Sequence, residues 1–161
     1  MKTISREAVD LIIDRYEAHD DTEMQQRFKR FSEQQPFLMA YLLAGDEEFV
    51  EEENRGDLLY LGLMIFEILS GERGGLPEVG EDPLMEADER NMQLVLSLDE
   101  ASEMHFQESI ERMLEGYNQQ PLLTAMLEVL MSGNEETPEL APESVGMNLI
   151  HLKTVIDSLD R

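Results

Sequence analysis

Two stretches decide the fold of this chain: QQPFLMAYLLAGDEE, Gln34–Glu48, and QQPLLTAMLEVLMSGNEE, Gln119–Glu136. They begin 85 residues apart and follow one plan. A Gln-Gln-Pro triplet leads, and proline suits the first turn of a helix, where its missing N–H costs nothing. An apolar run follows, then a glycine suited to the left-handed residue after a helix, then an acidic turn. The pattern predicts a helix over 36–44 that stops at Gly45 and another from Pro121 that stops at Gly133.

Outward from these phrases, apolar residues recur at helical spacing almost everywhere. Val9, Ile12, Ile13 and Tyr16 share one face of a helix over about 4–18, with Thr3 or Ser5 as its cap. A second helix over about 22–34 has Met24, Phe28 and Phe31 on its apolar face and Asp21 or Thr22 as cap. Asp46, Glu47 and Glu48 are placed to start a fourth helix at its positive dipole end. That helix breaks near Gly56 and continues as LLYLGLMIFEIL, 58–69, the centre of the expected core. SGERGGLPEVGEDP, 70–83, reads as a loop. Further helices are expected over 83–96, 100–117 and 142–159, with a turn at 97–100. IFEIL, 65–69, also resembles VIDSL, 155–159, so that Glu67 matches Asp157.

The expected fold is therefore all-α: roughly eight helices in two related four-helix halves, an internal duplication about a pseudo-two-fold axis. The halves are residues 1–70 and 84–161, joined by a Gly/Pro loop over 71–83 within a single helical domain. The length of 161 residues and a hydrophobic content of 42% suffice for a core.

Composition narrows the function classes. There is no cysteine, which removes disulfides, thiolate metal sites and cysteine nucleophiles and fits a reducing, cytoplasmic location. The net charge of −24 opposes nucleic acid and anionic membranes. The N-terminal residues mix charge with apolar side chains, unlike a signal peptide. The one basic cluster, Arg27, Lys29 and Arg30, reads as a solvated helix face or as a docking patch for an acidic partner.

The spacings of known catalytic and metal motifs do not occur in the sequence. His19, His105 and His151 lack the Glu-x-x-His spacing of di-iron bundles, and the His105–Glu108 pair stands alone. The acidic run from Asp46 lacks the ligand spacing of a calcium loop. SGERGG lacks the lysine of a phosphate loop. No catalytic, cofactor or metal residue is assigned. Tyr60, Glu67, His151 and Asp157 are polar groups within apolar helices, and they are the positions to inspect for a pocket or a facing carboxylate pair. Met39, Met64, Met92, Met126 and Met131 belong to the core or to an adaptable binding groove.

These features point to a non-catalytic adaptor or regulator that binds another protein, a basic one by charge. The expected groove lies between helices 3 and 4 and helices 7 and 8, with homodimer formation left open. One alternative is an acidic mimic or immunity-type inhibitor of a basic or nucleic-acid-binding protein. Another is a helical-bundle enzyme or small-ligand carrier.

Overall fold

The structure, a computed structural model, describes residues 2–48, 57–100, 106–132 and 142–160. Among these there are eight α-helices and no strand: α1 Arg6–Glu17, α2 Asp21–Gln34, α3 Pro36–Glu48, α4 Asp57–Arg73, α5 Glu81–Glu100, α6 Phe106–Leu114, α7 Gln120–Met131 and α8 Pro142–Leu159. No described helix is long and apolar enough to cross a membrane.

Local chemistry explains most boundaries. The Ser5 hydroxyl accepts from the Ala8 N–H and caps α1. Asp20, rather than Asp21 or Thr22, caps α2, its carboxylate accepting from Glu23 N–H at 2.8 Å. Gln35 leaves the helical region, as a residue before proline tends to, and Pro36 opens α3. Pro142 likewise opens α8.

The glycines correct the expected boundaries. α3 does not stop at Gly45 but runs on to Glu48, so Asp46–Glu48 end α3 rather than start α4. Gly45 is buried, and a Cβ there would lie 2.7 Å from Leu58 Cδ2. On α4, a Cβ on Gly62 would lie 2.3 Å from Leu42 Cδ1. These two glycines let α3 and α4 approach closely, each opposite a leucine of the other helix. The glycines that do end helices have positive φ: Gly74 at 70° follows α4 and Gly116 at 71° follows α6. The helix therefore continues through Ser70 to Arg73, and the connection to α5 is 74–80 rather than 70–83. α5 passes through the expected turn to Glu100. The predicted stop at Gly133, the loop after it and His105 lie outside the described residues.

α4 and α8 pack against each other at the centre, buried on nearly every side. Around them, α1 packs on α4 and α7, α3 on α4, α5 on α8 and α7 on α8. Side chains from all eight helices join one buried cluster. A helix that is apolar all round belongs at such a centre, as the sequence of 58–69 suggests.

Two fully buried glutamines hold the chain entries to α1 and α5. The Gln119 amide donates to Lys2 O at 3.0 Å and accepts from Ile4 N–H at 3.1 Å. The Gln35 amide donates to Pro77 O at 2.9 Å and accepts from Val79 N–H at 2.9 Å. Each side-chain amide satisfies the outward backbone groups of an extended segment whose next side chain, Ile4 or Val79, enters the core. The two glutamines are one position out of step in their phrases: the second of the pair clamps in the first, the first in the second.

Candidate binding groove

α3 and α5 diverge above α8 and leave a groove of about 460 Å³. α3 contributes Phe37, Ala40, Tyr41 and Ala44 to one wall, residues that follow one another around a single helix face. α5 contributes the stripe Glu81, Met85, Asp88 and Met92, in which acid and methionine alternate. Met147 and His151 of α8 form the floor. The lining is mostly apolar and partly open: Phe37 is 40% and Met85 53% exposed.

A hydrogen-bonded chain crosses the groove. The Tyr41 hydroxyl donates to Asp88 Oδ1 at 2.6 Å and lies 2.8 Å from His151 Nδ1. With its proton given to Asp88, the hydroxyl accepts from Nδ1–H, which fixes the tautomer of this arrangement. The Tyr41 and His151 rings also meet edge to face at 5.4 Å. This joins α3, α5 and α8 through residues 47 and 110 positions apart. Among the described residues neither Asp88 nor Glu81 forms an ion pair, and no lysine or arginine lines the groove.

Of the four positions singled out from the sequence, His151 lies in the groove; the other three do not line it. Glu67 accepts from Arg27 at 2.8 Å. The Arg27 guanidinium also lies 5.5 Å from the Tyr16 ring centre, and Tyr16 meets Tyr60 edge to face at 6.1 Å. Arg27 of the basic cluster is thus drawn toward α1 and α4, while Lys29 and Arg30 remain exposed. Asp157 occupies a different network. It accepts from Lys153 Nζ at 2.8 Å, Asn91 Nδ2 at 3.0 Å and the Tyr117 hydroxyl at 2.7 Å. Lys153 also donates to Asn91 Oδ1 at 2.8 Å and lies 4.6 Å from the Tyr117 ring centre. Glu67 and Asp157 therefore answer separate cations and do not face each other as a pair. No cluster of three or more metal-ligating side chains exists among the described residues.

These networks carry a pH prediction. Burial, reinforced by Glu67, pushes the Tyr16 phenol up; burial, reinforced by Asp157, pushes Tyr117 up. An acid whose folded value is raised contributes stability below its unfolded value and loses it above. Stability should therefore fall once the pH passes about 10, where tyrosine ionises in the unfolded chain. The slope is about 1.4 kcal/mol per pH unit for each tyrosine. Urea unfolding between pH 8 and 11.5 measures it. The Tyr16 hydroxyl lies beside the Arg27–Glu67 pair without a hydrogen bond of normal geometry. Tyr16→Phe should cost nothing at neutral pH and lower the alkaline slope by about 1.4 kcal/mol per pH unit, the share of one tyrosine; an unchanged slope would remove Tyr16 from this account.

Sequence reading missed Tyr41 and Asp88. The signal available was the α5 stripe itself, where methionines alternate with acids along one face: Glu81, Met85, Asp88 and Met92. Of helices 3, 4, 7 and 8, expected around a groove, α3 and α8 line this one, together with α5; α3 and α4 close against each other at Gly45 and Gly62. Compared with protein-family models, curated proteins and solved structures, the chain matches none.

Proposed function

We propose that this protein acts without chemistry of its own, as an adaptor or regulator that docks a segment of a basic protein in the α3/α5/α8 groove. The observation that carries the reading is the groove: mostly apolar, methionine-rich, open and acid-lined, with no lysine or arginine in its lining among the described residues. Methionine side chains adapt to a partner at little cost, and the net charge of −24 favours basic partners. The lack of cysteine is consistent with a reducing, cytoplasmic setting.

The reading includes the two related halves, α1–α4 and α5–α8. Gln35 and Gln119 hold matching backbone pairs ahead of α5 and α1. Counted from Ile4 and Val79, Val9 corresponds to Leu84 and Tyr16 to Asn91, and all are buried. Glu67 and Asp157 are half-buried acids at corresponding places on α4 and α8. α2 meets α3 and α4 as α6 meets α7 and α8, and α1 meets α4 and α7 as α5 meets α8 and α3.

In that register the groove has a counterpart, the cleft between α1 and α7 above α4. Where the groove carries Asp88, Tyr41 and His151, the counterpart carries Ile13, Ala125 and Leu61. Where the groove carries Glu81 and Ala44, the counterpart carries Arg6 and Glu128, which form an ion pair across the cleft. One cleft has an apolar base and is bridged by an ion pair; the other is crossed at its base by the Tyr41–Asp88 hydrogen bond and has no ion pair among the described residues. This contrast supports a binding task for the open one.

The test uses native mass spectrometry of the protein purified gently from its own cells, beside an Ala44→Arg variant. Ala44 is exposed on the groove wall, so arginine there obstructs the groove without entering the core. The expected result is a stoichiometric protein companion that is lost on Ala44→Arg while the melting temperature stays within about 2 °C. A companion that survives the substitution, a retained small molecule, or a bare protein in every preparation overturns the reading.

A further inference from the structure

We infer that the groove takes a basic amphipathic helix of the partner, with cationic side chains seven residues apart set against Glu81 and Asp88. The inference rests on the docking role proposed above and specifies its occupant. Glu81 and Asp88 stand on one face of α5, seven residues and about 10 Å apart, with Met85 between them and Met92 beyond. A bound helix repeats its own face at the same interval, so a cation at one position and another seven residues later meet both acids. Apolar residues three and four positions on then fall against Met85 and Met92.

The two acids are prepared for this in different ways. Asp88 is half-buried, and Tyr41 holds one carboxylate oxygen through a short hydrogen bond. His151 supports Tyr41 from below, so the carboxylate is oriented before any partner arrives. No ion pair to its other oxygen exists among the described residues. A carboxylate fixed in an apolar groove without a counter-charge gains most from a cation that arrives with apolar surface around it. Glu81 is exposed and lines the same groove as Ala44, also exposed, on α3. In the counterpart cleft the corresponding residues, Arg6 and Glu128, bridge the two helices. The partner's cation supplies what the chain supplies for itself there.

The occupant is not a second copy of this chain. Two molecules each carrying −24 repel, and the acidic stripe of α5 has no complementary basic stripe on this chain: its one basic cluster includes Arg27, already engaged by Glu67. The groove is also longer than a single side chain requires: Glu81 to Met92 spans about 16 Å, or three turns of helix.

The experiment measures fluorescence anisotropy of labelled 18-residue leucine/alanine model helices against the full-length protein. One peptide carries lysines at positions i and i+7 within its apolar stripe. A second has the same composition with both lysines moved to the polar face. The protein variants are Asp88→Asn, which still accepts the Tyr41 hydrogen bond, Glu81→Gln, Ala44→Arg and Glu7→Gln. Glu7 is an exposed acid of α1 outside the groove lining. The expected result is that Asp88→Asn and the lysine-shifted peptide each weaken binding by about tenfold. Glu81→Gln should weaken it by about threefold and Glu7→Gln by less than twofold. Equal losses for Asp88→Asn and Glu7→Gln mean that only the overall field attracts the peptide, and the inference fails. Equal binding of the two peptides fails it too. If Asp88→Asn does not fold, Glu81→Gln against Glu7→Gln makes the same comparison. Should Ala44→Arg remove the natural companion while these peptides ignore Asp88 and Glu81, the docking role stands and the cationic occupant falls. Indifference of both companion and peptides to Ala44→Arg removes both.

Discussion

Replacing Gln119 by alanine should lower the melting temperature by about 9 °C, the consequence of losing about 3 kcal/mol. The side chain is fully buried, and its amide is hydrogen-bonded to the Lys2 carbonyl and the Ile4 N–H. Removing it strands two backbone groups where water does not readily replace the amide, each at about 1–3 kcal/mol. Gln35→Ala should cost a similar amount through Pro77 and Val79. Gln119→Met separates the causes, because methionine fills the space but offers no amide. If the hydrogen bonds dominate, the methionine variant is nearly as unstable as the alanine variant. A loss below about 1 kcal/mol for either alanine variant would mean that the entry segments find water and need no clamp.

The second large effect is at Lys153. Its ammonium lies between Asn91, Asp157 and the Tyr117 ring, and its side chain is only 11% exposed. Lys153→Met keeps the apolar stem but leaves Asp157 charged with only Asn91 and Tyr117 as donors. Removing one member of a buried pair costs about 3–5 kcal/mol, and the partial exposure of Asp157 places the expectation near the lower end, at about 3 kcal/mol. The double variant Lys153→Met/Asp157→Leu should recover at least half of that, since an apolar pair of similar volume can replace a buried ion pair. Chemical denaturation of the single and double variants measures both. A single-variant loss under about 1 kcal/mol would place this pair with ordinary surface ion pairs instead.

Helical class was legible because periodicity is local. Val9, Ile12, Ile13 and Tyr16 announce α1 without reference to anything else, and the apolar run 58–69 announces a central helix. Glycine was not legible in the same way. Gly45 and Gly74 look alike in sequence, yet one is a contact residue inside a helix and the other turns the chain at positive φ. What distinguishes them is the leucine opposite Gly45, which only the packed structure supplies. The clamp raises the same difficulty, since nothing local separates Gln34 from Gln35, while only Gln35 reaches Pro77 and Val79. The candidate groove was least visible. Tyr41, Asp88 and His151 meet across three helices, and no spacing rule joins them. Glu67 and Asp157 stand out in the sequence as acids within apolar helices, but their cations, Arg27 and Lys153, sit at unrelated sequence distances of 40 and 4.

The clamp at the start of the chain also orders events in time. A ribosome releases Ile4 first, and Gln119, its partner, only 115 residues later, on the order of ten seconds at ordinary synthesis rates. Throughout that interval the entry to α1 has no native mate for its backbone, whatever α1 itself has begun to do. Gln35 meets no such delay, because Pro77 and Val79 follow it by only about forty positions. The central connection can therefore be fastened while the chain is still growing, and the Gln119 clamp on the entry to α1 follows later.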